Sequence, residues 1–165
     1  MKLYSNKKLQ RFTSILVIII ALCSVLLSAV SEEEELETIW VLCQPNSYVN
    51  IRVRPSGRSE ACGYADCGDD FYTDGYKKNG FLHVYASIET GEGWIALGYV
   101  IWDEPERIYE KRTIISKGRV KARKTVNGKR RMWLYDGDEV KVYWMSESWS
   151  VTNKGFVKSE FIGEQ

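Results

Sequence analysis

The chain is poor in the residues that build reactive centres. It has one histidine, His83, and four cysteines, of which Cys43, Cys62 and Cys67 follow the first apolar stretch. On paper these three and His83 make a zinc set. Their spacings of 19, 5 and 16 residues contain none of the tight pairs, about two to four residues apart, that structural zinc sites present. A Cys–His hydrolase needs its nucleophile on a helix or strong turn, with a third group orienting the base, and nothing in the sequence places His83 beside a cysteine. Sustained 3.6-residue periodicity is also missing beyond Glu37, so almost no helix is expected past residue 38. These lacks point away from catalysis and from a bound metal or cofactor. The cysteines read as apolar, reduced core residues or as a disulfide in an oxidising compartment, Cys62 with Cys67 or Cys43 with either. An odd count leaves one thiol free in any pairing.

Charge is missing by sign, segment by segment. Residues 1–31 carry Lys2, Lys7, Lys8 and Arg11 and no acid. Residues 32–110 carry sixteen acidic and six basic groups, and residues 111–165 six acidic and thirteen basic. The formal net charge of +1 therefore hides two segments of opposite field. At the N-terminus, basic residues precede the apolar run Phe12 to Val30, and Glu32 to Glu35 follow it. That order leaves the N-terminus inside and everything later outside. The run has nineteen residues, between the ~7–15 of a signal-peptide core and the ~17–25 of a spanning helix. Ala29-Val30-Ser31 offers small residues for cleavage. Residues 1–31 are thus a signal peptide or a membrane anchor, and the rest is secreted or held at the membrane with its C-terminus outside. Cys23 follows Ala21-Leu22 deep in the apolar run, which is not a lipoprotein signal.

The rest of the chain reads as short strands. Tyr48 to Val53, Phe81 to Tyr85, Glu139 to Trp144 and Ser148 to Thr152 alternate with β-branched and aromatic residues. Pro55-Ser56-Gly57, Gly68-Asp69, Asp74-Gly75, Asn79-Gly80, Asn127-Gly128, Asp136-Gly137 and Asn153-Lys154-Gly155 supply turns between them. Many short strands with regular turns make a small sandwich or barrel. The pattern also repeats. Gly93-Trp94-Ile95 through Val100 matches Gly155-Phe156-Val157 through Ile162, Gly68-Asp69 matches Gly137-Asp138, and Val49 to Arg52 matches Val120 to Arg123. Three segments in one order argue for duplication, with an insertion near Ile88 to Glu92 and a boundary at Asp103-Glu104-Pro105-Glu106.

The first copy, Tyr48-Val49-Asn50-Ile51-Arg52, Pro55-Ser56, Gly68-Asp69, Asn79-Gly80-Phe81, Gly93-Trp94-Ile95 and Tyr99-Val100, resembles the bacterial SH3 domain family (SH3b). The match runs from about Trp40 to Asp103. The second copy, about Lys117 to Ile162, resembles it more weakly, with Lys121 in place of the asparagine and no proline. The resemblance implies an all-β chain: two tandem small SH3-like β-barrels, residues 38–104 and 111–163, after the N-terminal hydrophobic helix. It also implies binding, commonly to cell-wall peptidoglycan and often beside catalytic domains, none of which fits in this length. Expected partners are wall peptidoglycan or an anionic wall polymer, with an envelope protein as the alternative in a scaffolding role. The membrane joins them if the N-terminal segment stays uncleaved, and nucleic acid is not expected.

The ligand-binding surface has aromatic and basic candidates. Alternation buries Phe81, Trp94, Trp149 and Phe156, and leaves Tyr72, Tyr85, Trp102, Trp133 and Trp144 as residues that could stack on sugar or peptide. Lys121, Arg123 and Arg130 belong to a basic stretch that either binds a polyanion or docks on the acidic first half. Arg52 and Arg123 recur at matching positions and either contact ligand or bracket a turn carbonyl.

Overall fold

A computed structural model of the chain describes residues 36–85 and 91–163. The predicted hydrophobic helix, its cleavage site and Glu32–Glu35 lie outside the described residues. The chain divides into two compact units, residues 1–35 and 36–165, and the second is all-β. Its first sheet contains β1 (Glu37–Val41), β2 (Val49–Arg52), β3 (Ala61–Ala65), β4 (Asp70–Thr73), β5 (Lys77–Lys78), β6 (Phe81–Tyr85), β7 (Glu92–Ala96) and β8 (Val100–Ile101). Its second contains β9 (Glu106–Thr113), β10 (Val120–Arg123), β11 (Arg130–Leu134), β12 (Glu139–Met145), β13 (Trp149–Thr152) and β14 (Gly155–Lys158). Short 3-10 turns, Leu97–Tyr99 and Ser159–Phe161, follow β7 and β14.

The sheets repeat one topology. The first runs β3-β2-β7-β6-β4-β1-β8 and the second β11-β10-β14-β13-β12-β9, extended by a bridge from Ile114 to Ile162 that stands where β8 pairs with β1. The recurring motifs explain the recurrence. Gly68 and Gly137 take φ of 95° and 78°, which costs glycine nothing. Their amides donate to Val41 O and Ile114 O. The next residues, Asp69 and Asp138, accept from the amides of Asp66 and Tyr135 at 2.7 and 2.8 Å, closing the turn. Arg52 and Arg123 donate to Ser59 O and Gly128 O at 2.5 and 2.8 Å. In both copies a bulge sits just before the arginine, so the guanidinium brackets the turn its own bulge begins.

Neither sheet is flat. Ile39 and Val41 at one edge share a single core with Val49, Ile51 and Ala65 at the other, together with Phe71, Leu82, Val84, Ile95 and Val100. Strands lie ~4.8 Å apart, so side chains from opposite edges meet only if the sheet coils on itself like a barrel. The second core, with Val120, Ala122, Leu134, Val140, Val142 and Val157, is built the same way. Two burial expectations need correction. Phe81 and Trp94 are half-buried on the outer face, and Leu82 and Ile95 take the core. Alternation separates the faces of a strand without saying which one faces in. Trp149 and Phe156 are buried as expected, at 5% and 0% exposure, but not in the core of their own sheet.

They lie in a third apolar cluster between the sheets. Leu42 and Ile101 of the first meet Val126, Trp149, Val151 and Phe156 of the second, flanked by Trp40, Cys67, Tyr99, Tyr143 and Trp144. Docking through opposite charge is therefore not how the halves join. The ion pairs among the described residues all stay within one sheet. The polar link is Asp103, whose carboxylate accepts from Ser148 N at 2.8 Å and Ser148 Oγ at 2.6 Å. Burial works to raise the Asp103 pKa, but the hydroxyls of Ser146 and Ser148 and the Ser148 amide outweigh it, so the net shift is downward. A depressed carboxyl contributes stability above its unfolded pKa of ~3.9 and loses it as pH falls through the folded value. Asp103→Asn is expected to lower the urea midpoint at pH 7 and to lose less than wild type on acidification below about pH 4. Parallel midpoint-against-pH curves for the two proteins would refute this role.

Candidate functional site

The candidate binding residues separate into a cationic edge, an aromatic outer face and a seam. The edge is the best defined. On β10, Val120 and Ala122 turn inward and Lys121 outward; on the edge strand β11, Leu134 turns inward. Lys121 is registered with Trp133, so both share the outer face. The guanidinium carbons of Arg119 and Arg130 each lie 4.6 Å from the Trp133 ring centroid, and Lys121 Nζ lies 5.9 Å away. Each such contact contributes ~0.5–1 kcal/mol at an exposed site, enough to hold long cationic side chains over an aromatic platform. None of the three cations has an ion pair with a described residue. Three of the predicted residues, Lys121, Arg130 and Trp133, thus come together. Arg119, part of the basic stretch but not a predicted site residue, completes the group. Its signal was its place two residues before Lys121, just ahead of β10.

On the first sheet, Tyr72 of β4 and Tyr85 of β6 are register partners. Tyr85 donates to Asp74 Oδ2 at 3.0 Å, and the same oxygen lies 3.0 Å from His83 Nδ1. Glu92 stands 3.5 Å from His83 Nε2. The imidazole packs against Tyr85 and Trp94, with Tyr76 edge-on to Trp94. For Asp74, burial is the largest influence and raises the pKa. The Tyr76 amide, His83 and Tyr85 together overcome it and pull the carboxyl below its ordinary value. Both histidine nitrogens face carboxylates rather than a thiol or aliphatic hydroxyl. The arrangement orients an imidazole without giving it a nucleophile to activate. Among the described residues no group of three or more histidine, cysteine or acidic side chains is placed to hold a metal.

The other predicted residues lie apart. Trp102 is 45% exposed, donates to Glu37 Oε2 at 3.1 Å and sits under Lys77 Nζ at 5.1 Å. Trp144 is half-buried in the seam, its ring against Gly68. Arg123 is committed to its turn carbonyl. The thiols also differ. Cys43 is buried, donates its amide to Cys67 Sγ at 3.2 Å and its thiol to Ser47 O at 3.1 Å. The hydrogen bond to Cys43 and burial push the Cys67 thiol well up. Cys62 is exposed rather than in the core, and all three are free thiols.

No protein-family model matches the chain, and no curated protein is similar to it. Among solved structures, NlpC1 from Trichomonas vaginalis aligns over 82% of this chain and 48% of its own, at 15% identity and a TM-score of 0.32. NlpC2 from the same organism aligns over 81% and 50%, at 13% identity and a TM-score of 0.34. The chain spans about half the length of these proteins. At such TM-scores the likeness carries no argument about fold or activity.

Proposed function

We propose that the chain is an exported, non-catalytic binding module of the cell envelope, holding peptidoglycan or an anionic wall polymer through tandem SH3b-like folds. The observation that supports this reading best is the half-buried Trp133 on the edge strand, with Arg119, Lys121 and Arg130 around its ring. A stacking ring between unpaired cations suits a polymer that presents both flat rings and negative charge. The shared apolar seam supports it further, because two modules held in fixed relation lose little entropy on binding a chain at two points.

The test is sedimentation of the full chain with purified cell walls. Wild type is expected in the pellet at low salt and progressively less as salt shortens the Debye length. Reversing both arginines, Arg119→Glu with Arg130→Glu, is expected to cost about 2 kcal/mol at low salt, roughly 30-fold in affinity. Pelleting that ignores both salt and the double variant would sink the proposal. The scaffolding alternative draws on a separate feature. β11 is an edge strand with exposed Met132, able to accept an extended partner strand. Capture of a defined envelope protein in the absence of wall binding would favour it.

A further inference from the structure

A groove runs along the seam between the sheets. One wall is the turn after β1, Gln44 to Tyr48, with Asp66 and Cys67; the other is Arg107 and Tyr109 of β9 and Trp144 of β12. Its volume is about 280 Å³, near the ~300 Å³ lower bound of small-ligand sites. That space suits the end of a chain rather than its middle.

Three independent features mark it as built for a ligand. Gln44 Nε2 is buried without a hydrogen-bond partner among the described residues, and a buried donor left unpaired is costly. Tyr109 has φ of 60° inside a strand, a conformation rare for a bulky side chain. It arises because Ile108 and Tyr109 both oppose Tyr143 across the register shift between β9 and β12. Strained backbone of this kind persists where its surroundings hold it, and here the Tyr109 ring is held edge-on to Tyr143 and under Arg107 at 4.7 Å. The third feature is charge. Arg107 and Asp66 come from different sheets, line the same groove, and form no ion pair with each other or with another described residue.

The geometry points to a binding site for the C-terminal end of a short peptide, with its free carboxylate taken by Arg107 and Gln44. An orphaned amide donor and a guanidinium ask for a carboxylate. Asp66 asks for a donor, which the last peptide N–H supplies. Tyr48, Tyr109 and Trp144 offer flat walls to the terminal side chain. The site is separate from the Trp133 edge and does not depend on it.

Full-length protein in detergent micelles is titrated with acetyl-dialanine as the free acid and as the C-terminal amide, each in L,L and D,D form. Heat and the fluorescence of Trp144 report binding. The free acid is expected to bind about tenfold tighter than the amide, the scale of one charge-assisted hydrogen bond. Arg107→Ala, at an exposed position, is expected to erase that preference. Gln44→Leu, which keeps the volume and removes the donor, is expected to weaken the acid and the amide alike. Preference for the D,D acid supports the site with a wall peptide as its source, and preference for the L,L acid supports it with a protein chain end. Equal binding of acid and amide, an unaltered Arg107→Ala variant, or no binding of any form at about 10 mM (a free energy weaker than ~3 kcal/mol) would overturn the assignment.

Discussion

Phe156→Ala is expected to destabilise both sheets together, by about 4 kcal/mol, and to lower Tm by roughly 15 °C for a unit of this size. Phe156 has no exposed surface and lies in the seam, where Trp149 and Val151 of its own sheet meet Leu42 and Ile101 of the other. Removing the ring leaves a cavity that neither coiled sheet can close without shifting its own core. Small barrels are marginal alone, burying only ~60% of their unfolded surface, so the seam supplies stability that neither has to spare. Wild type is expected to melt in one transition seen alike by near-UV and far-UV circular dichroism, at a temperature nearly independent of salt. Two separate transitions, or a midpoint that drops steeply with salt, would mean that the halves fold independently or join through charge.

What could be read from the sequence is what both copies share for a local reason. Gly68-Asp69 and Gly137-Asp138 recur because each closes the same turn with the same two hydrogen bonds. Arg52 and Arg123 recur because each holds the loop after a bulge. The strands follow from alternation, and the all-β class from strands and turns together. The surface was partly legible as well. The outward placing of Lys121 and Trp133 follows from period-two spacing on an edge strand and its neighbour. Arg130, three residues before Trp133, reaches the same face only through the register shift at Arg131, which alternation does not announce.

What could not be read depends on contacts between copies. Trp94 and Phe156 occupy matching positions, opposite Arg52 and Arg123. One is half-exposed beside His83 and the other fully buried, because only the second has a neighbouring sheet over it. Trp144 resembles a surface aromatic until Gly68 of the other sheet packs on its ring. The bulge at Tyr109 has no glycine, asparagine or proline to announce it, so the groove it helps to form had no sequence signal. Segregated charge suggested electrostatic docking, yet the buried residues of the seam are apolar and the ion pairs among the described residues each stay within one sheet. Net charge speaks to solubility and partners rather than to fold.

Gly155→Ala is expected to be more damaging than Gly93→Ala, although the two glycines occupy matching positions in the two copies. Gly155 has φ of 128°, a region almost reserved for glycine. A Cβ there would also sit well inside 3.0 Å of the carbonyl oxygen of Arg123, the residue through which β10 pairs with β14. Backbone cannot rotate aside as a side chain can. The clash would push β10 and β14 apart at the point where Arg123 grips its turn and Phe156 enters the seam. At Gly93 the close neighbour is a side-chain methyl of Ile51, and φ is not positive, so repacking can absorb part of the strain. The expected cost is about 3–5 kcal/mol for Gly155→Ala, strain and overpacking combined, against about 1–3 kcal/mol for Gly93→Ala from overpacking alone. Urea denaturation of the two variants checks the order. Equal losses, or a larger loss at Gly93, would show that the left-handed backbone and the Arg123 carbonyl do not set the requirement for glycine at the start of β14.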